Sequence, residues 1–240
     1  MTGPDAPPSF TLGYVPGVTP GKWVRTWQER LPRVPLVLES LDPREAVAKI
    51  HAREVDAALL RLPIDRTGLH AIPLYTETTV VVVPKDHLVA AADEVTPEDL
   101  AEELVLHAHD DTLDWPGYRP DRPEPLGKRP DHRPDTTADA IELVAAGVGL
   151  LVVPQSLARL HHRRDLTYRP LADVPESRVA LSWLEDETTD LVEQFIGIVR
   201  GRTVNSTRGN APAPVKKTKP KPQPTTKKQP PKRGKPRRRS

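Results

Sequence analysis

Hydrophobic positions change their period several times along the chain, and each change marks an element. Phe10–Val15 alternates as a strand does and stops at Pro16-Gly17-Val18-Thr19-Pro20. Thr19 is placed there to cap a helix with Pro20 in its first turn, and Trp23, Val24, Trp27 and Leu31 follow at helical spacing. Pro35–Leu41 reads as a second strand. Asp42 as N-cap and Pro43 at the first helical position then open a second helix, with Ala46, Val47 and Ile50 turned inward. Val55–Leu60 is a nearly unbroken apolar run, the composition of a strand covered on both faces in a parallel sheet. Strand–helix–strand–helix–strand makes two right-handed βαβ units.

Leu74–Pro84 reads as one longer strand rich in Thr and Val, and Thr96-Pro97-Glu98-Asp99 has the residues of a helix start. Leu104–His107 is a strand, and residues 114–135, rich in proline and charge without periodicity, a long loop. Thr137 to Ala146 is helical up to Gly147, Val148–Pro154 a buried strand and Pro154–Arg163 a short helix. Leu166–Leu171 and Arg178–Leu184 read as strands. Thr188–Arg200 is a last helix with Leu191, Val192, Phe195, Ile198 and Val199 on one face. From Gly201 the periodicity stops. Eight prolines and 14 basic residues in 40 cannot build a core, so a disordered, partly polyproline-like tail is expected, and a disordered lead over residues 1–8.

Charge separates the same two regions. The chain has 35 Lys+Arg against 33 Asp+Glu, a net of +2. Residues 201–240 hold 14 of the bases and no acid, leaving 21 bases and 33 acids in residues 1–200, a net of −12. The tail cations Lys216, Lys217, Lys219, Lys221, Lys227, Lys228, Lys232, Arg233, Lys235, Arg237, Arg238 and Arg239 stand without hydrophobic anchors. Such a segment neutralises phosphates without reading bases, and with no aromatic side chain it offers no stacking platform. A weak, sequence-blind contact with nucleic acid is the expectation, against a merely solubilising tail.

The absence of cysteine excludes disulfides, thiolate metal sites and cysteine nucleophiles. Met1 to Phe10 lacks the pattern of a signal peptide, and the longest apolar runs, Thr79–Val83 and Val148–Val153, fall far below the ~20 residues that span a bilayer. A cytoplasmic protein without membrane contact is expected.

The succession FTLGYV, PLVLESL, VDAALLRLP, GLHAIPLYTETTVVVVPKDHLVA, ELVAAGVGLLVVPQSLARL and LTYRPL resembles the effector-binding domain of LysR-type transcriptional regulators over roughly residues 9–200. The resemblance implies an α/β fold of two Rossmann-like subdomains joined by two crossover strands, as in type 2 periplasmic binding proteins. Subdomain one would comprise 9–83 and 166–200, and subdomain two 84–165. It also implies a small-molecule effector in the cleft between them and a homodimer through their sides. The winged helix-turn-helix with which family members begin is not recognisable before Phe10. The second subdomain's first long helix is replaced by the Pro-rich segment 114–135. Ser40 and Asp42 stand where a hydroxyl often binds a ligand carboxylate, and an acid there argues against the family's usual aromatic-acid effector.

Open α/β sheets bind ligands at strand C-termini, beside helix N-termini. That selects Gly17, Val18 and Thr19, then Ser40 and Asp42, Arg61, His107 with His109, and Thr136 and Thr137 as ligand-binding candidates. Arg61 offers a planar fork to a carboxylate or phosphate, or else pairs with an acid such as Asp65. Thr19 and Thr137 are equally explained as helix caps. His107-Ala108-His109-Asp110-Asp111 resembles a metal motif, but Thr112 stands where a further His would be, so no metal is expected. Ser156 lacks the glycines of a nucleophile elbow, and Gly13, Gly17 and Gly21 match no phosphate loop. The expectation is a non-catalytic small-molecule sensor without cofactor, linked to transcription regulation. The alternative is a nucleoid- or partner-tethering protein with a vestigial cleft.

Overall fold

In the computed structural model, which describes residues 8–118 and 126–202, β1 (Phe10–Tyr14) leads through α1 (Gly21–Arg30) to β2 (Leu36–Ser40). α2 (Ala46–His51) then leads to β3 (Ala57–Leu62), and β1 lies parallel between β2 and β3. β4 (Leu69–Glu77) is followed after one residue by β5 (Thr79–Pro84). Then come β6 (Val105–Leu106), α3 (Trp115–Tyr118), α4 (Thr137–Ala145), β7 (Leu150–Pro154), α5 (Gln155–Leu160), β8 (Leu166–Pro170), β9 (Ser177–Leu184) and α6 (Asp190–Val199).

The strands form two sheets, ordered β2-β1-β3-β9-β4 and β6-β7-β5-β8. β9 runs antiparallel between β3 and β4, so the last strand returns to the first sheet. The expected two-subdomain α/β architecture is present. Its expected boundaries at 83/84 and 165/166 are not. β5 and β8 pair with each other in the second sheet, which moves the crossings to Thr78 and to residues 171–176. The run Leu74–Pro84 is two strands because Thr78 breaks it, and Thr79–Val83, buried throughout, needs cover on both faces.

In the first subdomain Phe10 of β1 stacks on Trp27 of α1 at 4.8 Å and on Phe195 of α6 at 5.3 Å between ring centroids. Trp27 is fully buried and satisfies its indole N–H on the Val34 carbonyl at 2.9 Å. These rings pin both helices to one face of the sheet.

In the second subdomain β5 supplies both faces. Val80 and Val82 pack with Ala140, Ile141 and Val144 of α4 and Leu157 of α5, while Val81 and Val83 pack with Leu100, Leu113, Trp115 and Leu126. Apart from Trp115 at the start of α3, the latter layer is turns and irregular chain. The helix start at Thr96 yields a single 3-10 turn, Glu98–Leu100, with the Thr96 amide and hydroxyl both donating to Asp99 Oδ2.

Several ends differ from the pattern. α1 begins with Pro20 at its N-cap and no side-chain cap, so Thr19 does not cap it. α2 begins at Ala46, because Asp42 turns the chain by accepting the Arg44 amide at 2.8 Å. Residues 114–135 contain α3 and are otherwise irregular where described. The expected lead through residue 7 and the tail from residue 203, with all its candidate cations from Lys216 to Arg239, lie outside the described residues. Among the described residues no helix is long and apolar enough to cross a membrane.

Candidate functional site

The C-terminal ends of β1, β2 and β3 face the segments that follow β6 and β7, and a cluster of side chains bridges the cleft between them. The crossing is built on Arg61, near the end of β3 and 5% exposed. Its Nη1 donates to Glu77 Oε2 at 2.6 Å and to Ser177 Oγ at 3.0 Å. Its Nη2 donates to the Pro16 carbonyl at 3.1 Å and to Ser156 Oγ at 2.9 Å. Ser156 in turn donates to Glu77 Oε2 at 2.8 Å. The guanidinium thus gathers the β1–α1 loop, both crossing strands and the first turn of α5. Burial makes each partner necessary, because a buried charge without its counterpart costs several kcal/mol.

Gly17 makes this approach possible. Its φ is +82°, and a Cβ there would lie 2.6 Å from Ser156 Oγ and 2.9 Å from Arg61 Nη2. No side chain is accommodated without moving the cluster.

On one side of the crossing lies a cavity of about 860 Å³. Its first wall is Tyr14, Gly17, Val18, Thr19, Lys22, Trp23 and Ser40; Tyr75 and Glu77 line it too, and Ser156, Arg159 and Leu160 form the facing wall. Burial, and then the Glu77 carboxylate, raise the Tyr75 phenol above its usual range, so it remains a neutral hydrogen-bonding group. On the other side lies a cavity of about 370 Å³ between Arg44, Val47, Leu60 and Arg61 and the loop His109–Asp114.

The N-terminus of α4 is already filled. Asp110 accepts the Thr137 amide at 3.0 Å and its hydroxyl at 2.9 Å, leaving Thr137 buried. Thr136 caps α4 in a reciprocal capping box with Asp139. Both positions are local structure.

A model of the LysR substrate binding domain matches residues 6–203 of the chain. The chain belongs to the LysR substrate-binding domain family. It is 25% identical to the HTH-type transcriptional regulator AlsR of Bacillus subtilis (strain 168) over 197 residues, which is 79% of this chain and 62% of the relative's length. The solved effector-binding domain of BenM with its effector benzoate superposes with a TM-score of 0.69 at 18% identity, covering 82% of this chain and 92% of that one. The oxidised form of OxyR gives 0.65 at 20% identity, covering 80% and 92%. The matched relatives are transcriptional regulators, and the solved structures share the two-sheet fold.

Within this LysR-type fold the candidates fall into two groups. Gly17, Val18, Thr19 and Ser40 line the larger cavity together. Arg61 lies at the crossing, but its partner is Glu77; Asp65 instead accepts the Thr67 amide and hydroxyl. Asp42 is held by Arg44 in an ion pair of 2.7 Å, and the hydrogen bonds from Arg44 keep its carboxyl below the usual range. Asp42 lines neither cavity, which removes the objection that it repels an anion there.

His107 lines neither cavity either. Its Nε2 faces the Leu126 carbonyl at 3.2 Å, and its ring meets Trp115 edge-on at 6.0 Å. Burial lowers the imidazole from 6.5 to about 4; the Leu126 bond opposes this, while the Arg133 and Arg129 charges add to it. Asp111 is pushed up by burial although Leu113 and Trp115 donate to it. His107 Nδ1 lies 4.0 Å from Asp111 Oδ2, but among the described residues no three His, Asp or Glu side chains are grouped as metal ligands.

Sequence reasoning missed Glu77, Ser177, Tyr75, Lys22, Trp23 and Arg159, and weighed Ser156 only as a nucleophile. Ser156 carried a usable signal, since it follows a buried strand in the first turn of a helix.

Proposed function

We propose that this chain is the ligand-sensing part of a transcription regulator, non-catalytic and without a cofactor. A small molecule binds in the larger cavity and closes the two subdomains about the Arg61–Glu77–Ser156 cluster. The observation that carries this is the cavity itself: it is walled by both subdomains at their strand C-termini and bounded by side chains that tie them together. Its volume of about 860 Å³ suits a small organic molecule. A ligand with higher affinity for the closed arrangement shifts the population toward it.

Such a regulator acts in the cytoplasm and as a homodimer. β2 is an edge strand of the first sheet with Val37 and Leu38 half exposed, a surface suited to a second copy. The test is a thermal-shift screen of metabolites on the full chain, followed by a structure with any compound that stabilises it. Stabilisation with density between Thr19 and Ser156 supports the reading. Silence from the whole screen, with the cavity filled by the protein's own side chains, refutes it and leaves a vestigial cleft.

A second reading concerns the tail and rests on the charge asymmetry. We infer that residues 203–240 hold nucleic acid through phosphate neutralisation alone, since 13 of the 35 bases and no acid lie there. The contact adds residence near DNA without sequence preference.

A further inference from the structure

α5 is shared between two cavities. Ser156, Arg159 and Leu160 line the larger one in the cleft. Ala158, with His161 and His162 just beyond the helix, lines another of about 440 Å³ that belongs to the second subdomain alone. Its facing wall is β8, with Lys85 just past the end of β5. Five of the ten residues around this cavity are Lys, Arg or His, and among the described residues no carboxylate lines it.

What its walls offer is hydrogen-bond donors. The neighbouring carboxylates are both held by Arg163: Nη1 donates to the two Glu142 oxygens at 2.7 and 2.6 Å, and Nε and Nη2 donate to the two Asp165 oxygens at 3.1 and 3.2 Å. Arg169, half-buried, has neutral partners, the carbonyls of Ala90, Ala92 and Tyr168 and the Thr167 hydroxyl. Thr167 thus spends a lone pair on Arg169 Nη1 at 3.1 Å, and Tyr168 spends one on Arg159 Nε at 3.2 Å, which leaves both hydroxyl protons to be donated. The backbone adds two more donors. Lys85 gives its amide to the Asp165 carbonyl and Leu171 gives its amide to the Thr79 carbonyl, each at 3.0 Å, so the odd-numbered residues of β8 bond to β5. In an antiparallel ladder the alternate residues point the other way, and the amides of Leu166 and Tyr168 therefore face out of the sheet edge that β8 forms. The exposed Lys85 ammonium completes the set.

We propose that this cavity binds phosphate, carried as the monoester of a small metabolite, outside the cleft and independently of what the cleft binds. The two oxygens of a carboxylate cannot use an ammonium, two hydroxyls and two edge amides at once. The three terminal oxygens of a phosphate monoester can, and their charge meets walls that hold no carboxylate. Ala158 and Leu166, both buried, give the carbon skeleton of the ester an apolar floor. The volume of about 440 Å³ suits a phosphate with a sugar-sized group attached.

The probes are inorganic phosphate, glucose 6-phosphate and adenosine 5′-monophosphate, titrated into the full chain by calorimetry beside glucose, adenosine, sulfate and a short DNA duplex. The variants are Lys85→Gln, Thr167→Val and Lys85→Arg. Lys85 is exposed, so Lys85→Gln should melt as the parent does when empty, and it decides the matter if Thr167→Val proves unstable. At least one phosphate monoester is expected to bind more tightly than sulfate, and its unphosphorylated counterpart not to bind. Lys85→Gln and Thr167→Val should each weaken it about tenfold, and Lys85→Arg should restore it. Phosphate binding indifferent to Lys85→Gln puts the anion on the tail or in the cleft and overturns the proposal, as does sulfate binding of equal strength. A duplex weakened by Lys85→Gln, with no monoester bound, makes this face a nucleic-acid contact and overturns it too. Failure of all three phosphates does the same while leaving the sensing cleft untouched.

Discussion

Asp110 sits against the first residue of α4, accepting the Thr137 amide at 3.0 Å and the Thr137 hydroxyl at 2.9 Å. A carboxylate at a helix N-terminus compensates free N–H groups and the positive end of the dipole. A ligand anion at that helix would have to displace it.

Replacing Asp110 with Ala should therefore do two things. The chain should lose about 2 kcal/mol of stability, because a buried amide and hydroxyl lose a charged acceptor. It should also gain a weak anion site at α4. Urea unfolding with and without sulfate checks both, since the deficit of the variant should shrink as sulfate is added, beyond the sulfate effect on the parent.

Arg61 and Glu77 should behave as a unit. Arg61→Ala leaves a buried carboxylate unpaired and is expected to destabilise by about 3–5 kcal/mol, whereas the double variant Arg61→Leu, Glu77→Leu should lose much less. A double-mutant cycle measured by chemical denaturation gives the coupling. Additive losses would show that the two side chains do not act together.

Gly17→Ala should disturb the same cluster from the other side. Its left-handed backbone alone costs about 1–2 kcal/mol with a Cβ, before the close approach to Ser156 Oγ at 2.6 Å is relieved. Small-angle scattering should show a larger radius for the variant, because the β1–α1 loop can no longer close on α5.

Acid should weaken the second subdomain through His107. Its folded pKa of about 4 lies below the ordinary 6.5, so the unfolded state binds more protons between those values. Stability is complete above pH 6.5 and falls as pH drops toward about 4, by about 3 kcal/mol in total. Asp111 acts with the opposite sign: its raised pKa returns stability as pH falls through that value. His107→Gln should flatten the profile, and Asp111→Asn should steepen the loss. Urea midpoints at a series of pH values separate the two.

The tail reading predicts duplex binding that weakens steeply with salt. With most of the tail cations engaged, the slope of log affinity against log salt approaches about −10, and truncation after Arg202 should abolish it. Fluorescence anisotropy with two unrelated duplexes checks the slope and the absence of sequence preference. A truncated chain that binds like the full one would dismiss the tail.

The sheets were legible because the runs Phe10–Val15, Val55–Leu60 and Val148–Pro154 have unambiguous apolar content and contain β1, most of β3 and the buried β7, and helix starts such as Thr137 sit where hydrophobic period changes. The break at Thr78 was not legible. Nothing in a run of Thr and Val distinguishes one long strand from two that belong to different sheets; the pairing partners decide that. The cleft loops Gly17–Thr19 and Ser40 followed from strand order alone. Glu77, Lys22 and Arg159 did not, because an isolated charge has the same appearance on a solvated face as in a cavity wall. Their surroundings depend on side chains from other elements, Arg61 sixteen residues from Glu77 and Tyr168 of β8 nine residues from Arg159.

One residue, Thr78, separates β4 from β5, whereas residues 171–176 lie between β8 and β9. The two halves are thus hung on a short tie and a longer one, and the longer one is packed, with Leu171 and Val174 buried and the Pro175 carbonyl accepting the Thr79 hydroxyl at 2.5 Å. Thr78 is also bonded through its carbonyl to the Gln155 amide at 3.0 Å, the residue that opens α5. Any rotation of one half against the other is therefore expected to turn the peptide at Thr78 and to carry the start of α5 with it.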